Sequence, residues 1–530
     1  MTDASLPALI EQMLQPGFYP HPVVEPIQLI QTHISYVLLT GDYAYKVKKP
    51  ANFGFLDFST LEQRQHFCHE ELRLNRRLSP KLYLAVLPIT TAQDSQYQLS
   101  PEPATSAKIV EYTVQMRAFD QDNLFSHLFE RDQLSVIHMQ QLGKLVADFH
   151  QAAQTSEAIQ QFGAVEAVRQ VAEDNYATSV PYIERAQTQL QLDQTRAFTE
   201  KFFADHRDWF RQRQEAGKIR ECHGDLHLNN VCLYQDQIQI FDCIEFNEEF
   251  RNTDVIYDAA FMVMDLEFQG RSDLANVFLN AYLEQTGDYQ GAVFLPLYLS
   301  MRAYIRAKVN SLVLDDPAIS MADKQQAQER AAAYYHTAWA YTQSDHRQLV
   351  LMCGLSGSGK TTVARHVAQA VEAVHIRSDA VRKHLAGIAL DQRGDTAGGY
   401  NSGIYTPEMT CQTYERLLEL GIFLAQQGLS VVLDAKYDSQ VFRQAAIAQA
   451  EAQQIPLKIF YCTAPESVLR DRLQARQGDI ADATADLVTA QQQAMEPFTE
   501  AEQAYVYTIN TEQPLEPQLA QAVNQLSMRL

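Results

Sequence analysis

Paired cysteines are missing from this chain. Its seven cysteines, at 68, 222, 232, 243, 353, 411 and 462, are odd in number and scattered, and none forms a C-x-x-C. A disulfide framework or zinc ribbon is therefore not expected, and a reducing compartment fits better. A basic excess is missing too: 43 Lys and Arg face 65 Asp and Glu, for a net charge of −22. Bulk binding of DNA or RNA needs the opposite balance, because phosphates are neutralised by Lys and Arg. No stretch reaches the roughly 18 apolar residues of a membrane span. The opening MTDASLPALIEQML has neither a basic segment nor a long apolar one, so no secretory signal is expected and the cytoplasm is the expected location. No repeat of fixed period occurs, and no Pro/Gly-rich tether divides the chain.

What is present is a globular composition, 46% hydrophobic and 10% aromatic, in 530 residues. That length predicts two or three domains. In the first third, Ile27 to Thr32, Tyr36 to Thr40 and Tyr43 to Lys49 read as strands, the last two joined by a Gly41-Asp42 turn. Thr60 to Leu78 reads as a helix capped by Ser59 or Thr60, and Leu82 to Ile89 and Glu111 to Ala118 as further strands. From Leu134 to about Tyr341 the pattern is mostly helical, interrupted by a strand-like insertion, Val231 to Cys243. After a polar junction at Ser344 to Arg347, strands and helices alternate, with strands at Leu349 to Cys353, Ala373 to Ile376, Ser430 to Leu433, Leu457 to Tyr461 and Ala504 to Ile509. Such alternation predicts a parallel sheet covered on both faces. The expected domains are 1–344, with a strand-rich lobe over about 25–118 and a helical lobe over about 119–344, and 345–530.

The first chemical constellation is His223-Gly224-Asp225-Leu226-His227-Leu228-Asn229-Asn230, followed by Asp242 at the end of an apolar run. Phosphoryl transfer needs a group that orients the attacking hydroxyl, oxygen ligands for magnesium, and a cation on the nucleotide phosphates. Asp225 is the candidate base, and Asn230 and Asp242 are the candidate metal ligands. The cation belongs on the strand Tyr43-Ala44-Tyr45-Lys46-Val47-Lys48, where period two puts Ala44, Lys46 and Lys48 on one face. Lys46 is preferred to Lys48 because the small Ala44 leaves room for a base. On the following helix, Glu71 shares the apolar face of Phe67, Leu74 and Leu78 and is preferred to Glu70 as its partner. Arg302 and Arg306, four apart on a predicted helix, either line an anionic substrate pocket or pair with Asp254, Asp258 or Asp265.

These motifs resemble the aminoglycoside phosphotransferase and choline kinase family over roughly residues 25–310. That resemblance implies Asp225 as base, Asn230 and Asp242 on magnesium, Lys46 on the phosphates, and a hinge near Met116 to Ala118 contacting adenine. It departs at Gln31-Thr32-His33-Ile34-Ser35, where a Gly-rich phosphate loop would stand and no glycine occurs. Ser35 or backbone amides would have to substitute. Over nearly its whole length, through KVKKPANFGFLDFSTLEQR, ELRLNRRLSPKLYL and the motif below, the chain resembles bacterial bifunctional aminoglycoside phosphotransferase/ATP-binding proteins. The implied fold is an α+β protein-kinase-like part, with a small strand-rich and a large helical lobe, followed by an α/β P-loop kinase domain.

The second constellation is Gly354-Leu355-Ser356-Gly357-Ser358-Gly359-Lys360-Thr361-Thr362, a complete P-loop between a strand and a helix. Its glycines let backbone amides point at phosphates at the positive end of a helix. Lys360 would reach the β- and γ-phosphates, and Thr361 would hold magnesium. Asp434, ending Val431-Val432-Leu433, stands where a second magnesium-side carboxylate belongs. Asp379 and Arg382 resemble the D-x-x-R element of small P-loop kinases such as gluconate and adenylylsulfate kinases, implying an acceptor base and a substrate ligand. Arg472 and Arg476 resemble lid arginines or form a solvated face, and the loop from Gly478 to Asp482 reads as a lid.

Together these features predict a bifunctional small-molecule kinase using ATP and Mg2+ at two sites, with small-molecule substrates. The alternative is an N-terminal pseudokinase that binds a ligand and regulates a C-terminal P-loop ATPase or kinase. A protein kinase is disfavoured, since no activation segment with an A-P-E element occurs. The acceptors, the choice of ATP or GTP and the oligomeric state have no signature in the sequence.

Overall fold

The computed structural model describes residues 6–91, 96–100, 108–317, 319–343, 345–393, 403–475, 480–482 and 484–527. They form two compact units, and neither is continuous along the chain. The first comprises Met1–Leu134, Ala152–Asp265 and Leu299–Trp339, and the second Ser135–Gln151, Leu266–Tyr298 and Ala340–Leu530. The expected junction at Ser344 itself lies outside the described residues, close to where the last segment of the second unit begins. Two earlier helical segments nevertheless cluster with that unit.

In the first unit, six strands form one antiparallel sheet: β1 (Gln28–Gln31), β2 (Ser35–Leu39), β3 (Tyr43–Lys48), β4 (Tyr83–Thr91), β5 (Tyr97–Leu99) and β6 (Lys108–Arg117), in the order β1-β2-β3-β6-β4-β5. The alternation of β3 divides the chemistry. Tyr45 and Val47 enter an apolar cluster with Ile10, Met13, Leu38 and Ile89 on one side. Lys46 and Lys48 point to the other side, toward the helix Leu61–Asn75. That helix starts with a capping box in which Thr60 and Gln63 satisfy each other's amides. Below, β7 (Ile219–Glu221) leads into the Asp225 loop, and the strand-like insertion expected over Val231 to Cys243 is a hairpin, β8 (Val231–Tyr234) with β9 (Gln237–Ile240). Gln235 and Asp236 take positive φ there, which turns the chain. A short strand, β10 (Asn252–Asp254), pairs with β7.

In the second unit, β11 (Gln348–Cys353), β12 (Val374–Arg377), β13 (Ser430–Asp434), β14 (Leu457–Thr463) and β15 (Val506–Asn510) form a parallel sheet ordered β12-β13-β11-β14-β15. All its pairings are parallel. The strand order reverses at β11, so its C-terminal end opens into the crevice where ligands bind in such sheets. The core joins Val350, Met352, Val432 and Phe460 of the sheet to Val363, Ala364 and Val367 of the helix Lys360–Ala370. Among the described residues no helix is long and apolar enough to cross a membrane.

Candidate active sites

In the first unit, Lys46 Nζ lies 2.8 Å from Glu71 Oε1 and 2.5 Å from Asp242 Oδ1. Glu71 is fully buried, whereas the Asp242 side chain is 46% exposed and so can meet a ligand. Glu70 turns outward to Arg73 instead. Lys48, set aside in favour of Lys46, is not idle: its ammonium sits 2.6 Å from Glu71 Oε2 and also contacts Glu245. Glu71 thus bridges two lysines. Burial opposes its charge, but Lys46 and Lys48 outweigh that and hold the carboxyl down at about 2. Glu245 shows the opposite balance: burial, with Glu71 nearby, pushes its carboxyl up despite Lys48.

Asp242 adopts φ +63°, a left-handed conformation that Asp tolerates better than most residues. Its amide donates to the Tyr83 hydroxyl at 3.3 Å. Asn230 donates Nδ2 to the Asp225 carbonyl at 2.9 Å and to Asp225 Oδ2 at 3.2 Å, leaving Oδ1 as its acceptor. His227 Nε2 is 3.2 Å from Asp225 Oδ2. Although burial opposes it, this histidine and Arg306 hold the Asp225 carboxyl well below the usual range, so it is ionised at neutral pH. Met116 stands opposite Ala44 in the β3–β6 register, at the end of β6.

The loop is braced from beneath. Asp258 accepts the amides of His223 at 3.1 Å and Gly224 at 2.8 Å, and Asp265 accepts that of Leu228 at 3.0 Å. For Arg302 the structure favours the second of its two expected roles, a place beside Asp258, over that of a substrate ligand. It is 5% exposed and donates to the carbonyls of Gly224 and Tyr257, both at 3.1 Å, with Asp258 at 3.8 Å. Its Nε and Nη1 are taken by these backbone carbonyls, and its Nη2, 3.8 Å from Asp258, has no hydrogen-bond partner among the described residues. Arg306, one turn on, acts electrostatically on Asp225. In the glycine-free turn after β1, the amides of Ile34 and Ser35 bond to Thr32 Oγ1, and that of Thr32 to the Ser35 carbonyl. Ser35 is fully buried. These three amides are spent inside the turn and do not form a phosphate nest.

In the second unit the P-loop closes over the N-terminus of the helix Lys360–Ala370. Gly354 has φ +134°, and a Cβ there would lie 2.4 Å from the Cys462 carbonyl oxygen, so only glycine fits. Lys360 Nζ donates to the Leu355 carbonyl at 2.7 Å, and burial lowers its pKa against the pull of Asp434. Thr511 Oγ1 donates to the Ser358 carbonyl at 2.8 Å, and the Ser356 amide donates to Gln491 Oε1 at 3.0 Å. Asp434, at the end of β13, is buried. Its Oδ2 lies 3.2 Å from His375 Nε2 and 4.0 Å from Arg377 Nε, and its carboxyl is held low by His375 against the cost of burial.

A cavity of about 950 Å³ runs from this loop across the sheet edge, lined by Gly357, Gly359, Lys360, Thr361, Thr362 and Ser356, then Asp434, Asp379, Arg382 and Arg472. Arg382 donates to the Ile404 carbonyl at 3.0 Å and to Thr410 Oγ1 at 3.2 Å, and its guanidinium lies 4.8 Å from the Tyr405 ring centroid. Its buried Nε has no acceptor among the described residues. Arg472 binds Thr511 Oγ1 and the Thr511 carbonyl, both at 2.8 Å, and so ties the lid-side helix to the loop. Arg476, Gly478 and Asp479 lie outside the described residues. Sequence reasoning ranked Lys48 second to Lys46 and missed Glu245, His375, Arg377, Gln491 and Thr511. Only the period-two position of Lys48 carried a signal.

Both donor sets suit magnesium, which takes hard oxygen ligands. Asp242 and Asn230 would hold it in one unit, Thr361 and Asp434 in the other, where it would neutralise charge on the phosphates. The family model described as "Phosphotransferase enzyme family" matches residues 58–295, and that described as "AAA domain" matches 349–498. An uncharacterized protein of Mycobacterium tuberculosis is 31% identical over 474 residues, which is 89% of this chain and 91% of that protein. A choline/ethanolamine kinase family protein from Mesorhizobium loti is 11% identical, covering 63% of this chain and 98% of its own at a TM-score of 0.37. A gluconokinase from Sinorhizobium meliloti is 21% identical, covering 34% and 93% at a TM-score of 0.25. The chain belongs to the two-domain family it shares with the mycobacterial protein, in which a phosphotransferase-family domain is joined to a P-loop kinase-like domain, and is a nucleotide-binding transferase of the kinase type.

Proposed function

We propose that the chain is a bifunctional ATP-dependent small-molecule kinase, each domain passing a γ-phosphoryl group to an acceptor hydroxyl. The observation that carries this reading is the 950 Å³ cavity, which joins the P-loop lysine and Asp434 to Asp379 and Arg382 without a break. Lys360 and the loop amides bind and orient phosphates there. Asp379 stands where it can accept the acceptor's hydroxyl proton, and the unpartnered Arg382 Nε provides a donor for the acceptor itself. In the N-terminal domain, Lys46 anchors phosphates from its seat on Glu71, and Asp225 orients the hydroxyl. Its low pKa makes it a weak base, which suits a transfer in which positioning and charge stabilisation do most of the work. Incubating the full chain with γ-labelled ATP and a metabolite extract tests the reading. Labelled small molecules that vanish in Lys360→Ala or Asp225→Asn support it, and label released only as phosphate contradicts it.

The spent amides of the turn after β1 favour a second reading, an N-terminal pseudokinase. Calorimetry of MgATP on the full chain carrying Lys360→Ala separates the two. A remaining binding event that Asp242→Ala removes supports the kinase, and no remaining event supports the pseudokinase.

A further inference from the structure

A second, smaller cavity lies behind Asp434, within the second unit. It measures about 280 Å³ and is lined by Gln140 and Lys144, by Asn276, Asn280 and Glu284, by Arg365 and Gln369, and by His375 and Arg377. The spacings are regular: each helix contributes residues four apart, and β12 contributes residues two apart. Polar residues of three helices and one strand therefore converge on one space, alongside the apolar Val277, Ala281, Ala368 and Ile480. Such polar residues normally meet water.

Some of this polarity is structural. Asn276 and Asn280 both donate to the Ala373 carbonyl, at 2.9 and 3.0 Å, and Asn280 accepts the His375 amide at 2.8 Å. They lock β12 in place and ask nothing of a ligand. The cations are different. Arg377, 4% exposed, has Glu284 at 3.6 Å and Asp434 at 4.0 Å. Lys144 and Arg365 have no ion pair among the described residues, and Glu284 is the only carboxylate lining the cavity there. Lys144 and Arg365, both exposed, and the buried Arg377 guanidinium thus face one small space whose one carboxylate among the described residues is already engaged by Arg377. Two cations without a carboxylate partner among the described residues, beside a buried guanidinium, favour an anion with several acceptor oxygens, which guanidinium and ammonium groups can share.

We propose that this cavity is a binding site for a small phosphate-bearing anion, separate from the P-loop though sharing Arg377 with the larger cavity, and placed against the far side of Asp434. The volume is below that of pockets for drug-sized ligands, which start at about 300 Å³, so the ligand is free phosphate or a short phosphomonoester. Arg377 and His375 touch both the cavity and Asp434, so an occupant sits one side chain from the carboxylate proposed to hold magnesium.

The test uses the full chain with Mg2+ and saturating AMP-PNP, whose own binding is measured first, so that the nucleotide sites are filled. Inorganic phosphate and glycerol 3-phosphate are then titrated separately by calorimetry at low salt. One further site for at least one of them is expected, and the tighter of the two identifies the source. Lys144 and Arg365 are exposed, so Lys144→Ala/Arg365→Ala should fold normally and weaken that site at least tenfold. Lys144→Arg/Arg365→Lys should retain it. No additional site for either probe, or an equal affinity in the double alanine variant, overturns the proposal. Loss of AMP-PNP binding would instead count against the kinase reading, independently of the phosphate result.

Discussion

The buried charge network beneath the N-terminal site gives the sharpest stability test. Lys48 is 1% exposed and stands between Glu71, 0% exposed, and Glu245, 4% exposed. Lys48→Met keeps the bulk of the side chain and removes the charge. Glu71 then retains Lys46 at 2.8 Å, but Glu245 loses its ammonium partner in a site already unfavourable to its charge. Removing one member of a buried ion pair costs about 3–5 kcal/mol, whereas replacing both with apolar groups is often neutral or better. Lys48→Met should therefore be strongly destabilising, and Lys48→Met/Glu245→Leu should recover most of the loss. The chain's two tryptophans, Trp209 and Trp339, both lie in the first unit, so their fluorescence during urea unfolding reports that unit alone. With a urea slope of about 1–3 kcal/mol per molar, the midpoint should fall by on the order of 1 M or more. A single-variant midpoint within about 0.3 M of wild type would refute the assignment of that network as a buried, mutually dependent set. Lys46→Met is the contrast. Its second partner, Asp242, is half-exposed, so it should cost less stability and more nucleotide affinity.

Asp225→Asn should lower N-terminal turnover by about 10²–10⁴-fold while sparing nucleotide binding, and Asp242→Ala should instead weaken magnesium-nucleotide binding by calorimetry. Lys360→Ala should sharply reduce turnover at the P-loop site without unfolding the domain, checked by ATP consumption and thermal melting. Burial, with Glu372 nearby, pushes the Glu267 carboxyl up to about 7 despite its bond from the Tyr341 hydroxyl. Its folded pKa exceeds its unfolded one, so its contribution is complete below the usual Glu range and is lost as pH rises through about 7. Glu267→Gln should then raise the melting temperature at pH 8 relative to wild type and leave it nearly unchanged at pH 4, read by calorimetric scanning. A fragment starting at Asp345 lacks Asn276 and Asn280, which hold β12. It should melt below the same unit in the full chain, and equal melting temperatures would show those contacts to be dispensable.

Local signals were enough for much of this molecule. The P-loop sits between a strand and a helix because its glycines, its helix-forming sequel and the apolar run before it all lie within twenty-odd residues. The alternation of β3 placed Lys46 and Lys48 on one face, and the helical period singled out Glu71 over Glu70, since an inward face can be read from neighbouring apolar residues. The parallel sheet followed from alternating strands and helices. Tertiary structure decided what depends on partners far along the chain. Lys48 and Glu245 meet across 197 positions, and no period links them. Arg302 and Arg306 look alike in sequence. Only the path of the Asp225 loop turns Arg302 to the backbone and leaves Arg306 acting on Asp225. The segments 135–151 and 266–298 carry ordinary helical patterns, yet they belong with the P-loop sheet. Helical periodicity tells which face is buried, but not against what, and that choice is made only when the whole chain packs.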